Sequence, residues 1–191
     1  MQTAWNLGRL ILLATLWGCA APSAVSERPS ANATRPPDLG PFVPTPMPVV
    51  RKMLELAEVN GDDLVYDLGC GDGRIVIAAA KQYGARGVGI EYDLRLCEEA
   101  RRRAEREGVS AFVEIRHQDI FESDFSDATV VMLYLLPASN KILQRRLRAL
   151  RRGTRIVAHD YGIGDWKPLH TEVLWTRDAF QHTVSVWRVG E

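Results

Sequence analysis

The sequence predicts an α/β protein built on a doubly wound, mostly parallel seven-stranded sheet that ends in an antiparallel hairpin. Three observations lead there. Five short apolar runs recur between Leu64 and Tyr161, most of them separated by stretches with helical spacing of apolar residues. A glycine-rich turn, "DLGCGDGR", joins the first of these runs to an alanine-rich helix. The last two segments alternate apolar and polar residues and have no crossover helix between them, which is how two neighbouring antiparallel strands read.

The elements follow in order. In "VPTPMPVVRKMLELAEV" the prolines precede apolar residues at Val49, Val50, Met53, Leu54 and Ala57, one face of a leading helix. After the turn "NGDD", the run "LVYDLG" is a first strand, and "RIVIAAAKQYG" a helix stopped at Gly84. "GVGIEYD" is a second strand, "LRLCEEARRRAEREG" a helix stopped by Gly108, and "AFVEIRHQD" a third strand. "ATVVMLYLLP" makes a fourth strand, "SNKILQRRLRALRRG" a helix and "TRIVAHDY" a fifth strand. "TEVLWT" and "HTVSVWRV" form the closing hairpin on the sheet edge.

Composition narrows the function. The chain has 191 residues, 46% of them hydrophobic, enough for one core of ordinary size. Lysine plus arginine balances aspartate plus glutamate at 24 each, so nothing in the overall charge seeks nucleic acid. The arginine-rich "RRRAER" and "QRRLRALRR" read as solvated helix faces, and no nucleic-acid partner is expected. Cys19, Cys70 and Cys97 lack the number and spacing of a disulfide framework or a zinc site, and His117 reads as polar surface at a strand end, so no metal is expected. Three regions result: residues 1–21, 22–41 and 42–191. In the first, Arg9 precedes "LILLATLWG", too short a run for a spanning helix, with small residues around Cys19, as in a secretory or lipoprotein signal or a signal anchor. The second is a linker of Ala, Ser, Pro and Arg. Membrane association through the N-terminus is the expectation, with a cytoplasmic location if the start is placed too early.

The glycine-rich turn lies at the carboxyl end of a strand, where open α/β sheets bind ligands. A dinucleotide-binding turn has G-x-G-x-x-G, and the position of its third glycine holds Arg74. Asp67 and Asp72 flank the turn with negative charge, which disfavours a pyrophosphate and favours an ammonium or sulfonium. Glu91, at the end of the second strand, suits two ribose hydroxyls under either reading.

With "DLGCGDG", Glu91 after the second strand and "HQD" after the third, the chain resembles the class I S-adenosyl-L-methionine-dependent methyltransferases, of Rossmann-like fold. "PFVPTP" ahead of the leading helix makes it similar to the small protein-lysine methyltransferases that act on the ATP synthase c-subunit and the adenine nucleotide translocase, and to bacterial relatives. The resemblance covers the chain from about Phe42 to its end. It implies S-adenosyl-L-methionine as cofactor, with Asp67 near the methionine amine, Gly69, Cys70 and Gly71 at the close backbone approach, and Glu91 on the ribose. It also implies Asp119 on the adenine amine, Ile120 against the ring, and Thr45 closing the pocket from the N-terminal side. Tyr134, at the end of the fourth strand, falls where this fold lines the acceptor channel or else is a core aromatic, and His159 and Asp160 end the fifth strand either as proton acceptor or orienter or as partners of the following loop. Trp166 in "GDWKP" is either a lid or a buried structural side chain. The implied acceptor is a protein lysine, with a membrane protein among the candidates; the alternatives are a small-molecule N- or O-methyltransferase and an inactive cofactor-binding module.

Overall fold

The computed structural model describes residues 40–177 and 179–191. The signal or anchor segment expected over 1–21, Cys19 included, and all but the last two residues of the linker at 22–41 lie outside the described residues.

Chain order is α1 (Met47–Leu56), β1 (Leu64–Leu68), α2 (Arg74–Tyr83), β2 (Arg86–Glu91), α3 (Leu94–Arg106), β3 (Val113–His117), β4 (Val130–Leu133), α4 (Pro137–Arg148), β5 (Arg155–His159), β6 (His170–Trp175) and β7 (Gln181–Arg188). They form one seven-stranded sheet in the order β3-β2-β1-β4-β5-β7-β6. The first five strands pair in parallel, and β7 runs antiparallel to both β5 and β6. The expected hairpin is present, with its second strand inside, against β5, and its first strand on the edge. Strand order reverses between β1 and β4, so the carboxyl ends of these two strands border a crevice.

Alternation along the strands sorts side chains to two faces. Val65, Val130, Met132 and Val157 pack with α1 and α2 through Val49, Val50, Met53, Leu54, Ile75 and Ala79. Tyr66, Leu68, Val131, Leu133, Ile156 and Ala158 face the other way, onto Leu143 and Leu147 of α4 and Trp187 of β7. No helix joins β3 to β4. The connecting segment instead supplies Ile120, Phe125 and Ala128 to this second core, and Arg146 of α4 fastens it by donating to the carbonyls of Ile120, Phe121 and Ser123 with its guanidinium 4.4 Å from the Phe125 ring centroid.

Helix α4 starts at Pro137, two residues ahead of the expected start, because a proline at the first helical turn loses no hydrogen bond there. It stops at Arg148, and 149–153 form a turn. Cys70 and Cys97 are free thiols buried as small apolar side chains. No helix among the described residues is long and apolar enough to cross a membrane.

Candidate active site

At the carboxyl ends of β1, β2 and β4 lies a cleft of about 700 Å³, a size suited to a nucleoside-sized ligand. Its floor is the turn after β1. Gly69, Gly71 and Gly73 all adopt positive φ (81°, 54° and 74°), which a side chain would resist. A Cβ at Gly69 would come within 2.9 Å of Leu135, and one at Gly71 within 2.2 Å of the Phe42 ring. The turn is held open by hydrogen bonds: the N–H groups of Gly69 and Cys70 both donate to the Ile90 carbonyl, and the Gly71 N–H donates to Glu91 Oε2 at 2.9 Å. Glu91 Oε1 accepts from the N–H groups of Tyr92 and Asp93. Glu91 therefore braces the turn as well as facing the cleft, a second duty that its position after β2 does not reveal.

Asp67 decides what the cleft can hold. Its carboxyl group is 3% exposed, lines the cleft, and meets no hydrogen-bond donor or cation among the described residues. Burial, then the charges of Glu91 and Asp72, push its pKa up to about 8. A buried carboxylate without a counter-charge is costly, and a cationic ligand removes that cost.

Asp72 behaves differently. Sequence reasoning gave it the same cation-seeking part, and the structure corrects this. Arg74 grips both its oxygens, at 2.8 and 2.7 Å, and Arg103 donates to Oδ2 at 2.6 Å. Although burial opposes ionisation, these hydrogen bonds and charges hold its carboxyl below the usual range. Arg74 also donates to the Thr45 carbonyl at 2.8 Å, tying the segment ahead of α1 to the glycine turn. That segment, residues 40–45, forms one wall of the cleft.

The other expected residues divide. Thr45, Asp67, Gly69, Cys70, Glu91 and Tyr134 line the cleft, and Gly71 lies beneath Phe42. Asp119 and Ile120 do not line it. Asp119 Oδ1 accepts the Phe121 N–H at 2.8 Å, while Ile120 is 1% exposed and packs in the core under α4. His117, read from sequence as strand-end surface, does line the cleft, with its Nε2 2.8 Å from the Tyr92 carbonyl. Trp166 is no lid: its carbonyl accepts from Trp187 Nε1 and its ring packs on the core beneath the Arg148 guanidinium.

His159 is wholly buried behind the cleft wall, its ring 3.9 Å from that of Tyr134 and its Nδ1 3.4 Å from Thr45 Oγ1. Burial holds its pKa down to about 4, against the pull of Asp160. His159 does not itself line the cleft; its ring meets Thr45 and Tyr134, which do. Its Nε2 meets His182 Nδ1 at 2.9 Å, and Asp160, at φ 59°, turns its carboxylate towards both rings. His182 escaped sequence reasoning because nothing in an alternating strand marks one histidine as inward-turned. Tyr134 has its pKa raised by burial and by the nearby Asp160 and Tyr161.

An open parallel sheet extended by an antiparallel β7 slotted beside β5, with glycines and an uncompensated acid after β1 and a second acid after β2, is the framework of the class I S-adenosyl-L-methionine-dependent methyltransferases. S-adenosyl-L-methionine, which carries an ammonium, a sulfonium and a ribose, matches the charge and size of the cleft. Comparison with known proteins narrows the class. The profile described as the ANTKMT methyltransferase domain matches residues 67–170, and the chain belongs to that family. It is 45% identical over 154 residues to a protein-lysine N-methyltransferase of Saccharolobus islandicus, covering 79% of this chain and 94% of that protein. It is 33% identical over 146 residues to the adenine nucleotide translocase lysine N-methyltransferase of Mus musculus, covering 73% of this chain and 63% of that protein. A crystal structure described as an RNA methyltransferase from Salinibacter ruber, in complex with S-adenosyl-L-homocysteine, superposes with a TM-score of 0.73 at 51% identity, covering 78% of this chain and 95% of that one.

Proposed function

We propose that the methyl acceptor is a lysine amine of a protein. The observation that carries this reading is the near full-length match to the Saccharolobus protein-lysine N-methyltransferase. The cleft supports it. Its two arginines, Arg74 and Arg95, are paired with Asp72 and the surface Asp93, and with Asp67 and Glu91 beside them the lining carries no excess of positive charge for a phosphate backbone. The wall near Tyr134 is largely apolar, with Phe42, Val43 and Leu135, and such a wall favours the neutral amine that an attacking lysine must become.

In this reading Asp67 pairs with the ammonium of the cofactor, Gly69, Cys70 and Gly71 bring the backbone close, and the acceptor sites still open on Glu91 take the ribose hydroxyls. Bound there, S-adenosyl-L-methionine supplies a methyl group on a good leaving group. What the chain adds is alignment and exclusion of water, with Tyr134 and Thr45 bounding the acceptor side. Asp119 stands outside the cleft lining, two positions beyond the cleft-lining His117, and keeps Oδ2 without a partner among the described residues; this supports giving it the adenine amine once the ligand is seated. The Arg9 to Cys19 segment supports placing the protein at a membrane surface.

The test is methyl transfer from labelled S-adenosyl-L-methionine into protein and RNA fractions of a cell extract. Label that resists ribonuclease, disappears on proteolysis and maps to lysine supports the proposal. Label in RNA, the acceptor class in the description of the Salinibacter structure, overturns it. Fractionation of the full chain beside one starting at Arg35 tests the membrane assignment, which falls if both remain in the soluble fraction.

A further inference from the structure

Behind the acceptor wall, outside the cofactor cleft, three metal-competent groups converge. His159 Nε2, His182 Nδ1 and Asp160 Oδ2 are separated by 2.9, 3.2 and 3.5 Å. We propose that this trio is a binding site for one divalent transition-metal ion of the zinc class, clamping the carboxyl end of β5 to β7 beside the acceptor side of the cleft.

The distances carry the argument. Zinc takes nitrogen and oxygen ligands at roughly 2.0–2.2 Å in a tetrahedron, whose ligand atoms therefore stand roughly 3.3–3.6 Å apart. A triangle with these edges is slightly tighter than that ideal, and one ion reaches all three atoms from just outside their plane. Hydrogen bonding alone serves the triangle poorly. Two protons cannot share the 2.9 Å gap between the ring nitrogens, so at most one sits between them, while Asp160 Oδ2 faces both rings. His182 Nε2 is buried with no partner, so no hydrogen bond at the far side of that ring sets its orientation. For two of the three groups the outer contacts suit a ligand set: Thr45 Oγ1 can accept the Nδ1–H of His159, and the Thr183 N–H donates to Asp160 Oδ1 at 2.8 Å, leaving Oδ2 facing inward, whereas His182 lacks such a partner. Two neutral imidazoles and one carboxylate carry a single negative charge, a donor set that zinc accepts with water as fourth ligand. The ligands come from two strands 23 residues apart in sequence, which is why the residue spacing shows no metal motif.

The experiment uses the untagged full chain, treated with a chelator, then titrated with cobalt(II) and, by competition, zinc(II). One equivalent bound per chain, with the visible bands of low-coordinate cobalt on nitrogen and oxygen ligands, is expected. His182→Ala and Asp160→Asn, checked for folding by circular dichroism, are expected to weaken binding by more than the roughly 10–100-fold that loss of an outer contact costs. Absence of stoichiometric binding by the folded wild type overturns the proposal, as does binding unchanged in both variants. If the variants do not fold, the wild-type spectrum decides: a sulfur-to-cobalt band assigns the ion to a cysteine and overturns the site.

Discussion

The sharpest consequence of the cleft concerns the proton on Asp67. With its pKa pushed up to about 8 by burial and by Glu91 and Asp72, the free protein holds this carboxyl mostly protonated at neutral pH. On the proposal that Asp67 is the counter-ion of the cofactor ammonium, which pairs with the ionised form, binding between pH 6 and pH 7 expels a proton. The ionised fraction is about 1% at pH 6 and about 9% at pH 7 for such a group, so affinity for S-adenosyl-L-homocysteine rises about tenfold over that unit, or about 1.4 kcal/mol. Calorimetric titration in buffers of different ionisation heat counts the proton directly. The wild type is expected to release close to one, and Asp67→Asn to show none and a flat pH profile. The free protein should show the opposite slope in stability. A carboxyl whose folded pKa is raised above its unfolded value of about 3.9 stabilises the fold most below that value, and the contribution is lost as pH rises through about 8. Thermal unfolding of the free wild type thus falls between pH 6 and pH 8.5 relative to Asp67→Asn. Equal proton release by wild type and variant would refute the assignment of Asp67 as the ammonium's counter-ion.

Two further outcomes follow from named contacts. Glu91→Gln replaces one of two accepting oxygens with a donor facing backbone N–H groups, so cofactor affinity drops about 10–100-fold by the roughly 1.5–3 kcal/mol of a hydrogen bond to a charged group; unchanged affinity in the same titration would mean that the brace is dispensable. Asp63, 5% exposed, accepts from Arg155, from Thr129 Oγ1 at 2.7 Å and from the Asn60 N–H at 2.9 Å, so Asp63→Ala leaves the largely buried Arg155 guanidinium with the Ala57 and Glu58 carbonyls but no counter-charge and costs about 3 kcal/mol in urea unfolding. A loss under about 1 kcal/mol would show that water replaces the carboxylate there.

The parallel strands were legible because each is a short apolar run flanked by glycine or polar turns, and α2 and α3 because Gly84 and Gly108 stop them in left-handed conformation. The link between β3 and β4 was not. Its residues Ile120 and Phe125 lack any helical period, and what seats them on the core is a guanidinium from a helix more than twenty residues away. The inner place of β7 was equally hidden. Both hairpin strands alternate, and burial of Val184 and Trp187, against the exposure of Val173 and Trp175, is decided by which strand reaches β5 first.

Within the site, sequence reasoning recognises residue types but not which charges are already matched. Asp67 and Asp72 look equivalent on either side of three glycines, and both lines of reasoning, from dinucleotide and from sulfonium ligands, treat them as one negative field. The fold separates them. Asp67 lies on the β1 face turned towards the cleft, where no helix brings a cation; Asp72 lies at the start of α2, where Arg74 two residues on and Arg103 one helix away both reach it. The same Arg74 that breaks the dinucleotide pattern makes a third contact, to the Thr45 carbonyl, that ties down one wall of the cleft. A glycine there would leave Asp72 half-matched and residues 40–45 untethered. The departure from the dinucleotide motif therefore commits the available guanidinium to Asp72 and leaves Asp67 as the unmatched acid of the cleft, which is what the proposed pairing with a cationic ligand rests on.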